Sequence, residues 1–449
     1  MSKYATIVVM FKTPLLLAAF CLLCASPAFA RGSFVYVTNY DDGTVSQFRA
    51  SPNGALTPLT PPCVKAYLRC HSLAADPEGR FLYVLSGLQW SRRKCLISQF
   101  RIGPDGRLTP LSPPRVPLAE TPYLIAADPH RSFLSVLNYG GSISQFRIRK
   151  NGTLTLLSPP QAIGEGSFNY SVALDRRSSV FYETGQLRMT NEWLGGVSAF
   201  RTRKDGTLQV VRLQIPENGS LAIGKYAPFP PQQVVLSQQK HSAYILYQGF
   251  APIAKSDAVP AENLEAIVAQ YQALAKKGIT LTGPKWGDLE AVLAQYRTQA
   301  GGGLRPLSPA RVLFPGTPQE AVVDPQSRYC YIFIRPQYLD GYPVKADKII
   351  LARYAIRGDG TLGRCAQQTF TSTDFLFDPM SRAFNDDLFN PVFSPSGRTL
   401  YLLTRRGVSP YRVKPDGSIV PLPPRPIRAG FRPLGMVYVQ QVTTKRGDT

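Results

Sequence analysis

Histidine, tryptophan and methionine are scarce in this 449-residue chain, with three, three and five copies. Three imidazoles leave few ligands for a metal cluster, and no cysteine or histidine spacing resembles a zinc site. A phosphate loop, a dinucleotide fingerprint and a nucleophile elbow are all missing, so nothing calls for a cofactor or for an α/β-type serine nucleophile. Long apolar runs are missing too, apart from residues 15–23, which are too few to span a bilayer comfortably. Lys3 and Lys12 flank the start of that run, and Ala28-Phe29-Ala30 supplies a small-x-small cleavage pattern. Residues 1–30 therefore read as a secretory signal peptide, with a periplasmic or extracellular protein starting near Arg31 and no transmembrane anchor.

Acidic residues are the other shortage. Lys and Arg number 51 against 29 Asp and Glu, a formal charge of +22. That balance favours anionic neighbours such as acidic glycans or lipid headgroups. Export argues against nucleic acid as the partner. Cys21 and Cys24 would leave with the signal, so Cys63, Cys70, Cys95, Cys330 and Cys365 remain. An odd number cannot all pair internally. The short Cys63–Cys70 loop is the local candidate for a bridge in an oxidising compartment.

What the chain has in abundance is one repeated phrase. Gln47-Phe48-Arg49 leads to Asn53-Gly54, then Leu56-Thr57-Pro58-Leu59 and Pro61-Pro62. Gln99-Phe100-Arg101 with Asp105-Gly106, and Gln145-Phe146-Arg147 with Asn151-Gly152, repeat it closely. Looser copies surround Gly206, Gly302, Gly360 and Gly417, making seven. Asn-Gly and Asp-Gly accept the positive φ of tight hairpin turns, which forces neighbouring strands antiparallel. Each copy reads as four strands: an apolar segment ending at a turn such as Asp128-Pro129, then three more of alternating, β-branched and aromatic character. Seven such units predict an all-β, seven-bladed β-propeller of four-stranded antiparallel blades over residues 31–441. The first copy lacks its leading strand, and residues 433–438 supply it from the far end, closing the ring inside blade 1.

Arginine stands five residues before the turn glycine in six copies: Arg49, Arg101, Arg147, Arg201, Arg297 and Arg412, with Ala355 in the sixth blade. Such recurrence marks a scaffold feature and gives part of the positive charge an architectural origin. Loops between second and third strands are long at residues 86–95, 184–196, 251–289 and 335–347, all on one face. Variable loops on a rigid scaffold point to that face as the place where a partner binds. Residues 251–289 carry Leu264, Ile267, Val268, Tyr271 and Leu274 at helical spacing, predicting a helical insertion in blade 5 that packs on its own propeller. Residues 442–449 read as a disordered tail. Its Arg446-Gly447-Asp448 adhesion tripeptide is too short to carry weight.

Tyr36-Val37-Thr38-Asn39 and the stretch from Asp76-Pro77-Glu78-Gly79-Arg80 to Val84 resemble the lactonase-type seven-bladed propellers. That family groups bacterial 6-phosphogluconolactonases with exported YVTN-repeat proteins. The resemblance spans residues 34–440 except the insertion, and is specific for fold rather than activity. It implies a site at the central mouth built from His, Glu and Arg near the start of innermost strands. The matching positions hold His71, Tyr123, Tyr170, Gln232 and Gln319, and one residue later Glu320 and Asn390. By this resemblance His71 or Glu320 would be the base, with Arg69 or Arg432 supplying charge. Tyr123, Tyr170, Gln232, Gln319 and Asn390 would line the mouth. The leading expectation is nonetheless a ligand- or protein-binding scaffold acting through its loop-rich face. The alternatives are a hydrolase of a sugar lactone or related cyclic ester, and a surface protein that binds acidic glycans. Oligomeric state is not written in the sequence.

Overall fold

The computed structural model describes residues 32–87, 95–128, 132–157, 160–189, 192–214, 231–252, 289–315, 317–335, 338–339, 342–343, 348–371, 390–404, 407–423 and 426–441. The signal segment, the bulk of the 251–289 insertion and the 442–449 tail lie outside them. All regular structure among the described residues is strand.

Seven antiparallel blades form the ring, the strands within a blade hydrogen-bonded side by side. Blade 2 shows the unit plainly, with Cys70–Ala75 innermost, then Phe81–Ser86, Leu96–Ile102 and Leu108–Pro117 at the rim. Blade 1 takes Pro433–Gln440 as its innermost strand, paired along Ser33–Asn39 from Ser33↔Gln440 to Asn39↔Pro433. The ring therefore closes as the permuted repeat predicts. Blades 3 and 4 are joined further: Gln161–Asp175 opens against Gly140–Ile148 of blade 3 and continues as the first strand of blade 4.

Two regions differ from the sequence expectation of loops. Residues 184–189 and 192–196 form the two arms of a β-ribbon, because Val180–Met189 and Glu192–Thr202 stay paired through Gly185↔Gly196 to Met189↔Glu192. Glycine weakens a ladder without ending it. Within 335–347, Tyr338–Leu339 pairs with Tyr342–Pro343.

Burial explains the residue pattern. Second strands are packed on both faces, so Phe81–Ser86 and Thr399–Thr404 are buried throughout. Fourth strands form the rim and are largely exposed, which is where prolines are tolerated and discourage edge-to-edge pairing. There is no single core. Seven hydrophobic clusters each fill the seam between two adjacent blades.

The Gln-Phe-Arg phrase is the hardware of those seams. Its phenylalanine enters the core, as Phe48, Phe100 and Phe146 do. The Gln47 carboxamide accepts from the Leu108 amide of the next blade at 2.7 Å and donates to its own blade's Pro61 carbonyl at 2.9 Å. Gln99 and Gln295 repeat both contacts. In blade 6, where Arg353 occupies the glutamine position, Gln368 on the next strand donates to and accepts from Ile419 instead. The recurring arginine reaches across the seam: Arg49, Arg147 and Arg201 donate to the turn carbonyls of Asp105, Asp205 and Ala300 at 3.0, 3.0 and 2.7 Å. Its guanidinium also lies over Phe34, Phe81 or Phe133 in blades 1 to 3. The scaffold role expected from recurrence thus has a physical form.

In blades 1, 2, 5 and 6 a buried tyrosine adds a second link across the seam. Tyr36, Tyr83, Tyr244 and Tyr331 donate to the carbonyls of Gly106, Gly152, Gly360 and Gly417, one blade ahead, at 2.7 to 2.8 Å. Gly152 must be glycine: its φ is +90° and a Cβ would sit 2.2 Å from the Phe81 ring. Tyr83→Phe is expected to cost about 1–2 kcal/mol, seen as a lower urea midpoint at unchanged slope.

The Cys63–Cys70 bridge expected from spacing is absent. All five described cysteines are free thiols. Cys63 lies on the exposed outer strand of blade 1, while Cys70 starts the innermost strand of blade 2. The Cys70 thiol is buried and donates toward the Asn39 and Thr44 carbonyls at 3.2 and 3.3 Å.

Candidate functional site

The mouth of the ring is framed by residues that precede each innermost strand. In blades 1, 2 and 3 one backbone position recurs: Arg432, Arg69 and Thr121 each accept, through their carbonyls, the amide of Tyr40, Gly87 and Tyr139. The Arg69 amide in turn donates to the Tyr40 carbonyl at 2.9 Å, tying blade 1 to blade 2. Arg69 and Arg432 hold φ values of 61° and 49°, left-handed conformations that cost an ordinary side chain energy and concentrate at functional positions. The residues just before them are exposed and apolar, Leu68 at 41% and Phe431 at 75%. The Arg432 guanidinium lies 4.8 Å over the Tyr40 ring. In blade 3, Tyr123 and Tyr139 meet edge to face at 5.1 Å. Arg69, Arg432 and Tyr123 therefore share an aromatic and basic rim around blades 1 to 3. Tyr40, Tyr139, Leu68 and Phe431 belong to it as well. Sequence reading passed them over because they sit outside the aligned strand positions, although their equivalence from blade to blade was the available signal.

His71 lies in the same arc, but facing inward. Its Nδ1 is 3.2 Å from the Arg69 carbonyl, and its Nε2 is enclosed without a hydrogen-bond partner among the described residues. Burial pulls its pKa below the usual imidazole value, while the carbonyls of Arg69, Tyr123 and Pro122 oppose that shift. The ring stays neutral to lower pH than a free histidine.

Glu320 occupies blade 6. The residue reaches solvent in part, but the carboxyl is turned inward, and burial pushes its pKa up to about 8 against the pull of the Asn390 amide. That amide donates to Oε2 at 2.8 Å. Asn390, itself at φ 34°, passes the link on by donating from Nδ2 to the Leu434 carbonyl at 3.2 Å. Gln233 makes the matching bridge from blade 5 to Ala321, accepting at 2.6 Å and donating at 3.1 Å. In blade 2, Ser72 accepts from Ile125 at 3.4 Å. The Glu320 position is thus a staple between consecutive innermost strands. The partner of this carboxylate is a backbone amide.

His71 in blade 2 and Glu320 in blade 6 are separated by blades 7 and 1. Hydrogen bonds join Glu320 to the Asn390 amide and His71 to the Arg69 carbonyl. Gln232 and Gln319 sit half-buried at the mouth in blades 5 and 6. Tyr170 lies in the strand Gln161–Asp175, with its side chain outside the described residues. Among the described residues, no group of three His, Cys, Asp or Glu is placed to hold a metal ion.

The described residues thus form a closed ring of seven four-stranded blades with a polar mouth, a seven-bladed β-propeller. The chain resembles the lactonase family directly: residues 34–169 match the model described as lactonase, 7-bladed β-propeller. Comparison with curated proteins finds no match. Among solved structures, the periplasmic gluconolactonase of Pseudomonas aeruginosa is similar over 92% of this chain and 100% of its own, at 15% identity and a TM-score of 0.58. A Bacteroides fragilis protein provisionally assigned as a 6-phosphogluconolactonase covers 92% and 99%, at 14% identity and a TM-score of 0.58. A Lactobacillus plantarum protein covers 91% and 100%, at 13% identity and the same TM-score. At these identities the likeness establishes the fold.

Proposed function

We propose that this protein is an exported ligand-binding propeller that holds an anionic carbohydrate at the rim formed by blades 1 to 3. The observation that carries this reading is the fate of the two acid–base candidates. His71 and Glu320 are each enclosed and engaged by neighbouring backbone, and they lie in blades separated by two others. Lactone hydrolysis needs a base that can reach water and donors that face the same carbonyl. The rim offers different chemistry: Arg69 and Arg432 suit a carboxylate, and Tyr123 and Phe431 offer faces on which sugar rings can stack.

The second reading, a sugar-lactone hydrolase, is favoured by the lactonase-family match and by a Glu320 that is largely protonated at neutral pH. Gluconolactone hydrolysis by the purified protein decides between them. The binding reading expects no acceleration over buffer, no change in His71→Ala or Glu320→Gln, and gluconate or galacturonate binding that weakens at least tenfold in Arg69→Ser/Arg432→Ser. Hydrolysis that falls about a hundredfold in His71→Ala or Glu320→Gln would establish the enzyme reading instead.

A further inference from the structure

The face opposite the mouth carries the turns between first and second strands and between third and fourth strands. Where blade 7 meets blades 6 and 1, this face opens into a cavity of about 610 Å³. Its walls include Arg328, Arg398, Arg412 and Lys414, and no carboxylate. Comparison with the other blades shows why this charge is available here and not elsewhere in the ring.

Arg398 stands four residues after the turn residue that opens the second strand. In blades 2 and 6 the same position is held by Arg80 and Arg328, whose Nε atoms pair with Asp76 and Asp324 at 3.4 and 2.8 Å. Blade 7 has Ser394 in place of the aspartate. Its hydroxyl still accepts the Thr399 amide at 3.2 Å, so the turn is capped. It brings no charge, and Arg398 keeps its guanidinium without an acid partner.

Arg412 is blade 7's copy of the clamp arginine. In blades 1, 2 and 3 that arginine is in register with Phe34, Phe81 or Phe133 and lies over the ring. In blade 7 the register partner is Thr399, which has no ring to offer. Arg412 also makes no counterpart of the bond that Arg49, Arg147 and Arg201 send to the next blade's turn. Among the described residues, neither guanidinium has a hydrogen-bond or ion-pair partner. Asp416, on the turn beside Lys414, directs its carboxylate to the Ser418 amide and hydroxyl and lies 3.9 Å from Arg353. Two substitutions in one blade thus release two arginines into one cavity.

We propose that this cavity is an anion-binding site distinct from the mouth, taking a ligand with two or more phosphate or carboxylate groups. Two guanidiniums can each engage an oxyanion through paired N–H donors, with Lys414 adding a point charge. The volume lies within the range of small-ligand sites and suits a short polyphosphate or a few acidic sugar rings.

The test is calorimetric titration of the full chain with inorganic tripolyphosphate and, separately, with trigalacturonate, at low salt. The wild type should bind at least one of them. Tripolyphosphate alone assigns a phosphate ligand, and trigalacturonate alone assigns an acidic sugar. Arg398→Ser/Arg412→Ser should weaken that binding at least tenfold. Ser394→Asp, which restores the Asp–Arg pair of blades 2 and 6 without removing any cation, should also weaken it several-fold while the melting temperature holds or rises. Arg107→Ser/Arg305→Ser removes the same charge from exposed positions outside the cavity and should leave binding unchanged. The proposal is overturned if neither probe binds the wild type, or if the cavity variants bind like the wild type. It is equally overturned if the Arg107/Arg305 control loses as much affinity as they do.

Discussion

A chain ending at Arg432 is expected to lose its cooperative unfolding transition. The missing strand, Pro433–Gln440, pairs with the whole of Ser33–Asn39, so its removal exposes a full ladder on an apolar strand. Val439 lies in the cluster between blades 1 and 2, and Met436 in the cluster between blades 7 and 1. Both seams open at once, and the ring is no longer closed. The combined loss exceeds the roughly 5–15 kcal/mol that holds a typical domain together, and the freed edge invites aggregation. A permuted chain separates this effect from simple shortening. The Gln441 amide already donates to the Gly32 carbonyl at 3.1 Å, so residues 433–441 can precede Gly32 through a two-residue Asn-Gly turn. That permutant should melt within a few degrees of the wild type, while the truncated chain should show no sharp melt. A truncated chain with an unchanged transition would refute ring closure as the source of stability.

Glu183→Val is expected to stabilise the protein, and by more at higher pH. At this position in the second strand the other blades have Val37, Val84, Val136, Ile245, Ile332 and Leu402, all buried against the preceding blade. Glu183 is only 2% exposed, and its Oε1 has no partner among the described residues. Burial pushes its pKa from 4.5 up to about 8, with Ser198 pulling the other way. The folded state therefore binds a proton that the unfolded state releases. The cost of this carboxyl is absent below about 4.5 and grows as pH rises, by at most about 1.4 kcal/mol per unit, until it levels off near 8. Valine removes both the charge and the unpaired oxygen. A gain on the order of 2–4 kcal/mol at pH 8, shrinking toward pH 4.5, should appear in urea midpoints measured across that range. Glu320 titrates over the same interval in both proteins and cancels from the difference. A gain independent of pH would show that the carboxyl is not the source.

The seven blades and the permuted closure were legible in the sequence because each repeat writes its turns and strand periodicity locally. The architectural reading of the recurring arginine was legible for the same reason. The candidate site was legible only in part. Counting from the turn placed His71 and Glu320 near the mouth, but could not show that backbone amides and carbonyls of adjacent blades hold them. Tyr40 and Phe431 escaped notice because their roles arise from loops that meet only when the ring closes. The Cys63–Cys70 pairing failed for a related reason: nearness in sequence says nothing when one residue lies on an outer strand and the other on an inner one.

The sequence by itself determined the blade count, the order of strands and the identity of the residues that lock one blade to the next. Those features depend on turn chemistry and two-residue alternation, which act over a few positions. Only the tertiary structure decided which charges are neutralised. Whether an arginine is clamped, as Arg49 is, or left facing a cavity, as Arg398 and Arg412 are, depends on what the neighbouring strand and the next blade present to it. A carboxylate's partner and its proton affinity are likewise set by burial across a seam, between residues as far apart in the chain as Glu320 and Asn390.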